Sequence, residues 1–153
     1  MNKSKWISLA ATFFGAGLSP KMPGTIGTLA AIPVWCLFFL TGPYVYMVLT
    51  FLLVIFAIFI SDAYEKDQPT HDRPEIVIDE VVGFLITMTW LPFSLKHLVL
   101  GFFLFRVLDI WKPFPISYLN DKVKGGFGVV IDDVAAGLVA NVVLQFLTQS
   151  GYI

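Results

Sequence analysis

Asp79 and Glu80 are the residues of this chain best placed to do chemistry. They are adjacent carboxylates at the lip of an apolar run, Val81 to Leu91, and no charge follows them for fifteen residues, from Val81 to Leu95. Carboxylates at the edge of an apolar segment are costly unless something partners them. Three more acids stand in comparable places: Asp109, and the adjacent pair Asp132-Asp133. Hard carboxylate oxygens suit Mg²⁺, which keeps water ligands and binds through a few carboxylates plus a substrate phosphate. No His/Cys set exists for zinc. The cations of the same polar stretches are Arg106, Lys112 and Lys21. Arginine forks onto phosphate oxygens, and lysine acts as a point charge. Cations among metal-binding acids suggest a phosphorylated substrate. A bound metal would neutralise the acids, polarise the phosphorus and lower the pKa of a water.

Two bland accounts compete with that reading. Arg106 and Asp109 are spaced i, i+3 and can pair on one helix face, so the charges could be ion pairs that hold helix ends together. Asp132-Asp133 is expected within the first turn or so of a helix, where the dipole favours carboxylates. A pair side by side still repels itself, which favours a cation. Other phosphatase chemistries find no support. The lone cysteine, Cys36, has no Arg six residues on, no Asp-x-Asp motif occurs, and His71 has no serine-arginine-histidine pattern around it. One cysteine also excludes an intrachain disulfide. The stretch Ser19 to Thr28 concentrates proline, glycine and hydroxyl residues. It is expected to be a loop, either a plain turn before a helix or one whose accessible backbone N–H groups and threonine hydroxyls cradle an anion.

The elements that must position these residues are apolar. Hydrophobic residues make up 57% of the 153-residue chain and charged residues 14%, against about 45–50% and about 25% in soluble domains. The mean hydropathy is +0.79. So small a globule cannot bury that much apolar surface, and lipid is the simplest solvent for it. A net charge of −1 gives no electrostatic reason for nucleic-acid binding. The pattern predicts an all-α, polytopic membrane bundle forming one domain over residues 1–153, with about four to five spanning helices. Trp6 to Leu18 is too short to span and predicts an interfacial or re-entrant helix. It follows a basic Met1–Lys5 but lacks a cleavage site, and is expected to be retained. Leu29–Leu40, with Pro33 near its start, and Tyr44–Ile60 predict one hairpin. Val81–Leu91 and Leu98–Leu108 predict a second, and Val129–Gln149 a final helix. Lys96 and His97 fall in a far-side turn and are expected to contact headgroups there, and Lys122–Gly128 reads as a mobile glycine-rich linker.

With five crossings, Lys3, Lys5, Lys21, Lys66, Arg73, Arg106, Lys112, Lys122 and Lys124 share one side and only Lys96 is opposite. By the positive-inside rule that side is cytoplasmic. All eleven acids fall there too. The alternative class is a small transporter or channel with an acidic vestibule, which would need polar residues near the midplane. The spans offer mostly threonines such as Thr50 and Thr87, with Gln145 near a helix end, so interfacial chemistry is the better reading.

The motifs also resemble a known family. Gly17-Leu18-Ser19-Pro20, Pro23-Gly24-Thr25, Gly27-Thr28-Leu29-Ala30-Ala31, His71-Asp72, Ile76-Val77 with Asp79-Glu80, Phe105-Arg106 with Leu108-Asp109, Trp111-Lys112-Pro113, Pro115-Ile116, Gly125-Gly126 with Gly128, and Ile131-Asp132-Asp133 occur in family order. Together they resemble the bacterial phosphatidylglycerophosphatase A family. The resemblance implies a multi-pass, Mg²⁺-dependent lipid phosphatase of the bacterial inner membrane. It would convert phosphatidylglycerophosphate to phosphatidylglycerol on the cytoplasmic leaflet. It implies that Asp79, Glu80, Asp109, Asp132 and Asp133 are catalytic and bind Mg²⁺. Lys21, Arg106 and Lys112 would hold the phosphate, helped by Thr25, Thr28 and His71. Attack by water and attack by an aspartate, through an aspartyl-phosphate, both fit this set. The apolar helices would dock the acyl chains, and short hairpins suit a homodimer. The chain departs from the family in the charged run Arg73-Pro74-Glu75 after His71-Asp72.

Overall fold

The computed structural model describes residues 3–66, 74–114, 116–118 and 123–153, and regular structure among them is helical. Six helices matter here. They are α1 (Lys3–Ala11), α2 (Pro23–Phe39), α3 (Pro43–Lys66), α4 (Ile78–Thr87), α5 (Leu95–Trp111) and α6 (Gly125–Gln149). A 3₁₀ turn at Ala16–Leu18 lies between α1 and α2.

The bundle is built around α4, which packs against α2, α3, α5 and α6 at once. Its Val81, Val82, Phe84 and Leu85 are fully buried. The close packing of α4 on α6 and α5 is made by glycine. A methyl group at Gly137 would stand 2.4 Å from the Gly83 carbonyl oxygen, and one at Gly83 would stand 2.5 Å from the Phe105 ring. Small residues let helices come together where apolar surroundings give no other drive to associate. Gly137→Ala is therefore expected to force α4 and α6 apart at a cost of about 1–3 kcal/mol. The check is a thermal midpoint in detergent, lowered by several degrees.

Helix α4 is shorter than its apolar run. It stops at Thr87, and the chain turns through Trp90, whose φ of 59° is left-handed. A helix that ends inside an apolar bundle leaves carbonyls without partners, which is expensive. Asn141 of α6 donates its Nδ2 to the carbonyls of Thr87 (2.9 Å) and Thr89 (2.8 Å), and Gln145 donates Nε2 to Thr89 (3.1 Å). Two α6 side chains thus cap α4 from outside.

Several expected boundaries move. Helix α2 starts at Pro23, six residues before Leu29, because Pro23 sits at the first helical position, where its missing N–H costs nothing. The Ser19–Thr28 loop thereby shrinks to its first half, and Pro33 falls mid-helix. Helix α3 runs six residues past Ile60. Helix α6 begins at Gly125, so the presumed linker Lys122–Gly128 is partly helix. A methyl at Gly126 would meet the Ile58 carbonyl oxygen of α3 at 2.2 Å, so this glycine is a packing surface. His97 is buried rather than at a headgroup. Its Nδ1 meets Ser94 Oγ at 2.6 Å and its Nε2 meets Thr148 Oγ1 at 3.0 Å, joining the start of α5 to the end of α6.

By length and composition, α3 and α6 are able to cross a membrane, and α2 is a shorter apolar helix. The nine residues of α1 reach about 14 Å, short of a crossing, as expected for Trp6–Leu18.

Candidate active site

Helices α2 and α4 start at one end of the bundle, α5 finishes there, and α6 passes through it. Their ends enclose a cavity of about 400 Å³. The first turn of α4 supplies Asp79 and Glu80. The last turns of α5 supply Arg106 and Asp109 on one face. Lys112 closes α5 in a left-handed conformation with φ 43°. That turn aims its ammonium back at Asp132 of α6, with which it is paired. Asp132 and Asp133 are the eighth and ninth residues of α6. That lies beyond the first turn, where the helix dipole acts, so capping does not account for them.

Asp79, Asp109, Asp132 and Asp133 are all buried. One carboxylate oxygen from each of Asp79, Glu80 and Asp133 lies within 4.8 Å of the others. The Glu80 backbone N–H donates to Asp79 Oδ1 at 3.1 Å. Arg106 Nη1 lies 2.5 Å from Asp109 Oδ2 and 3.7 Å from Glu80 Oε1. Burial alone would lower the Lys112 pKa. The carboxylates of Asp132, Asp133 and Asp109 outweigh it and hold the ammonium above the ordinary lysine value.

Five carboxylates against two cations around one cavity leave an excess of negative charge. Buried like charges repel strongly. Glu80 Oε2, Asp132 Oδ1, Asp133 Oδ2 and Arg106 Nε are buried with no hydrogen-bond partner among the described residues. Native structures seldom leave such atoms idle. The donor set, all hard oxygen with unused lone pairs, fits a divalent cation. The idle guanidinium N–H fits an anion beside it.

The start of α2 also lines the cavity, through Gly24 and Thr25. Met22, the residue before its first turn, is left-handed (φ 52°), and no side chain caps the helix. The first amides of a helix have no intrahelical partner, which suits such an end to an anion.

The five acids, Arg106, Lys112 and Thr25 thus come together as the sequence suggests. Lys21 is exposed, one residue before Met22, and is not on the cavity wall. Thr28 is buried off the wall, and its hydroxyl donates to the Gly24 carbonyl at 2.8 Å. His71 lies outside the described residues.

One residue that the sequence reading left out of the site is Gly24. A methyl there would stand 2.1 Å from Glu80 Oε1 and 3.0 Å from both Arg106 terminal nitrogens. Its place in Pro23-Gly24-Thr25 is the only signal in the sequence. Gly24→Ala is expected to lower activity about 10- to 100-fold by displacing Glu80, with the thermal midpoint little changed. Steady-state rates beside a melting curve test this.

Comparison with known proteins agrees with this constellation. The family model for phosphatidylglycerophosphatase A matches residues 9–148. A phosphatidylglycerophosphatase A of Escherichia coli is 40% identical over 140 residues, covering 91% of this chain and 81% of that protein. One from Haemophilus influenzae is 37% identical, covering 90% and 86%. A Bacteroides thetaiotaomicron protein, described provisionally as a phosphatidylinositol-3-phosphatase, is 33% identical, covering 89% of each. No solved structure matches the chain. With the match running through every helix that lines the cavity, the chain belongs to the phosphatidylglycerophosphatase A family.

Proposed function

We propose that this protein hydrolyses the terminal phosphomonoester of phosphatidylglycerophosphate, releasing phosphatidylglycerol and phosphate. The observation that carries the reading is the meeting of Asp79, Glu80 and Asp133 with Arg106, Lys112 and the uncapped start of α2 in one cavity.

The residues divide the work. Asp79, Glu80 and Asp133 would hold Mg²⁺. When bound, the ion supplies Lewis-acid polarisation and a water of lowered pKa. Asp109 and Asp132 orient Arg106 and Lys112, which grip the phosphate oxygens. The first amides of α2 and the Thr25 hydroxyl hold another oxygen. Arg106 and Lys112 stabilise charge as it builds on the transferring phosphoryl group. Water adds to phosphorus in line, the bond to the glycerol oxygen breaks, and that oxygen leaves with a proton.

The bundle sits in the bacterial inner membrane as a multi-pass protein. α2, α3, α5 and α6 cross, α4 is embedded among them, and the cavity faces the cytoplasm. The one-sided distribution of basic residues supports this orientation. Several polar groups that a transport pathway would need are taken up by the fold: Asn141 and Gln145 are committed to the carbonyls that end α4, and the Thr87 hydroxyl donates to the Gly83 carbonyl.

The test is phosphate release by purified protein from phosphatidylglycerophosphate in mixed micelles, with Mg²⁺ and with EDTA. Metal-dependent release is expected. No release from the folded protein with lipid and metal present would sink the reading.

A further inference from the structure

A lipid whose phosphate enters this cavity must leave its acyl chains in an apolar place. The structure offers one that runs directly from the site. Helices α2 and α5 pack on different flanks of α4 and hardly touch each other. Each contributes a residue to the cavity rim: Thr25 from α2 and Ile110 from α5. Following each helix away from the cavity at its own periodicity gives the walls below the rim. On α2 the face of Thr25 continues as Leu29, Ile32 and Cys36. On α5 the face of Ile110 passes Arg106 at the cavity and continues below it as Phe103 and Val99. Below the rim these positions are apolar.

They are also open. Ile110 is 67% exposed, Phe103 62%, Leu29 45% and Val99 43%, although each sits on a helix of the bundle. Ile32 and Cys36, on the same wall, rest partly buried against the core. At the far end the two helices are joined again by Phe93, just before α5, whose ring stacks on Trp35 of α2 at 4.8 Å. From Thr25 to Cys36 is eleven residues, or about 16 Å of helix, comparable to much of an extended acyl chain.

We propose that the cleft between α2 and α5 receives one acyl chain of the lipid substrate and is the lateral route by which the headgroup reaches the cavity from the leaflet. This rests on the phosphatase reading above. The occupant follows from continuity: the apolar walls begin at the same residues that rim the phosphate site, so a molecule holding both must be an amphiphile with a phosphorylated headgroup.

Two substrates separate the cleft from the site. One is diacyl phosphatidylglycerophosphate in mixed micelles, and the other is its deacylated, water-soluble headgroup, glycerophosphoglycerophosphate. Leu29→Trp, which fills the cleft, is expected to lower kcat/KM on the diacyl substrate at least tenfold. It should leave the deacylated one within about twofold. Val99→Trp on the opposite wall should do the same, and serves if Leu29→Trp does not elute as a monodisperse species. Leu52→Trp, on the exposed face of α3, should change neither. Equal loss on both substrates, or no loss on either, in the cleft variants would overturn the cleft alone. A wild type that turns over neither substrate would overturn the phosphatase reading and the cleft's occupant with it.

Discussion

Asp133→Asn is expected to reduce phosphate release about 10³-fold while leaving the metal-free protein as stable as the wild type, or more so. The two signs together are diagnostic. Asp133 is buried, lies in the group with Asp79 and Glu80, and has one oxygen without a partner. Neutralising it removes repulsion from an enclosure overfull of carboxylates. An amide of the same shape keeps the packing. If Asp133 instead served a structural ion pair, losing its charge would cost about 3–5 kcal/mol, and the melting curve would move the other way. Metal gives a second readout. Mg²⁺ at a hundred times its Kd should stabilise the folded wild type by about 2.7 kcal/mol, and Asp133→Asn should lose most of that gain. Asp79→Asn should behave alike, since its carboxylate belongs to the same group. An Asp133→Asn protein that kept both its activity and its Mg²⁺-induced shift would remove this residue from the metal site.

Much of this site can be read from the chain because its strongest signals are local. The i, i+3 spacing of Arg106 and Asp109 is a contact rule that holds on any helix, and the pair is there at 2.5 Å. The adjacency of Asp79 to Glu80 and of Asp132 to Asp133 puts like charges together whatever the tertiary fold. What could not be read depends on distant partners. Glycines between Lys124 and Gly128 signal a linker in water, and mid-helix each costs about 1 kcal/mol. Here they let α6 lie against α3, at Gly126 beside the Ile58 carbonyl. That added turn moves Asp132 and Asp133 away from the helix start and so removes capping as their explanation. The early stop of α4 is likewise set elsewhere, by Asn141 and Gln145 more than fifty residues on. Periodicity within Val81–Leu91 carries no trace of it. Thr28 looked like a phosphate ligand by type, but at i+4 from Gly24 its hydroxyl is taken by the helix backbone.

Arg106→Lys is expected to lower kcat/KM about 10²-fold, chiefly through kcat, without destabilising the bundle by more than about 1 kcal/mol. Arg106 is held by Asp109, approaches Glu80 at 3.7 Å, and carries a buried Nε with no partner among the described residues. Lysine retains the charge, so Asp109 is not left buried and alone, which is why it is a better probe than a neutral residue. It loses the planar fork. A fork that meets two phosphoryl oxygens gains most as charge spreads over them in the transition state, so its removal shows in turnover more than in binding. Asp109→Asn should cost less, about 10-fold, because it loosens the guanidinium without removing it. The loss in Arg106→Lys should be the same on diacyl and deacylated substrates, since the role proposed for Arg106 is on the phosphate alone. Leu29→Trp should discriminate between them. A lysine variant that lost activity only on the diacyl lipid would place Arg106 at the membrane-facing part of the substrate and remove it from phosphoryl transfer.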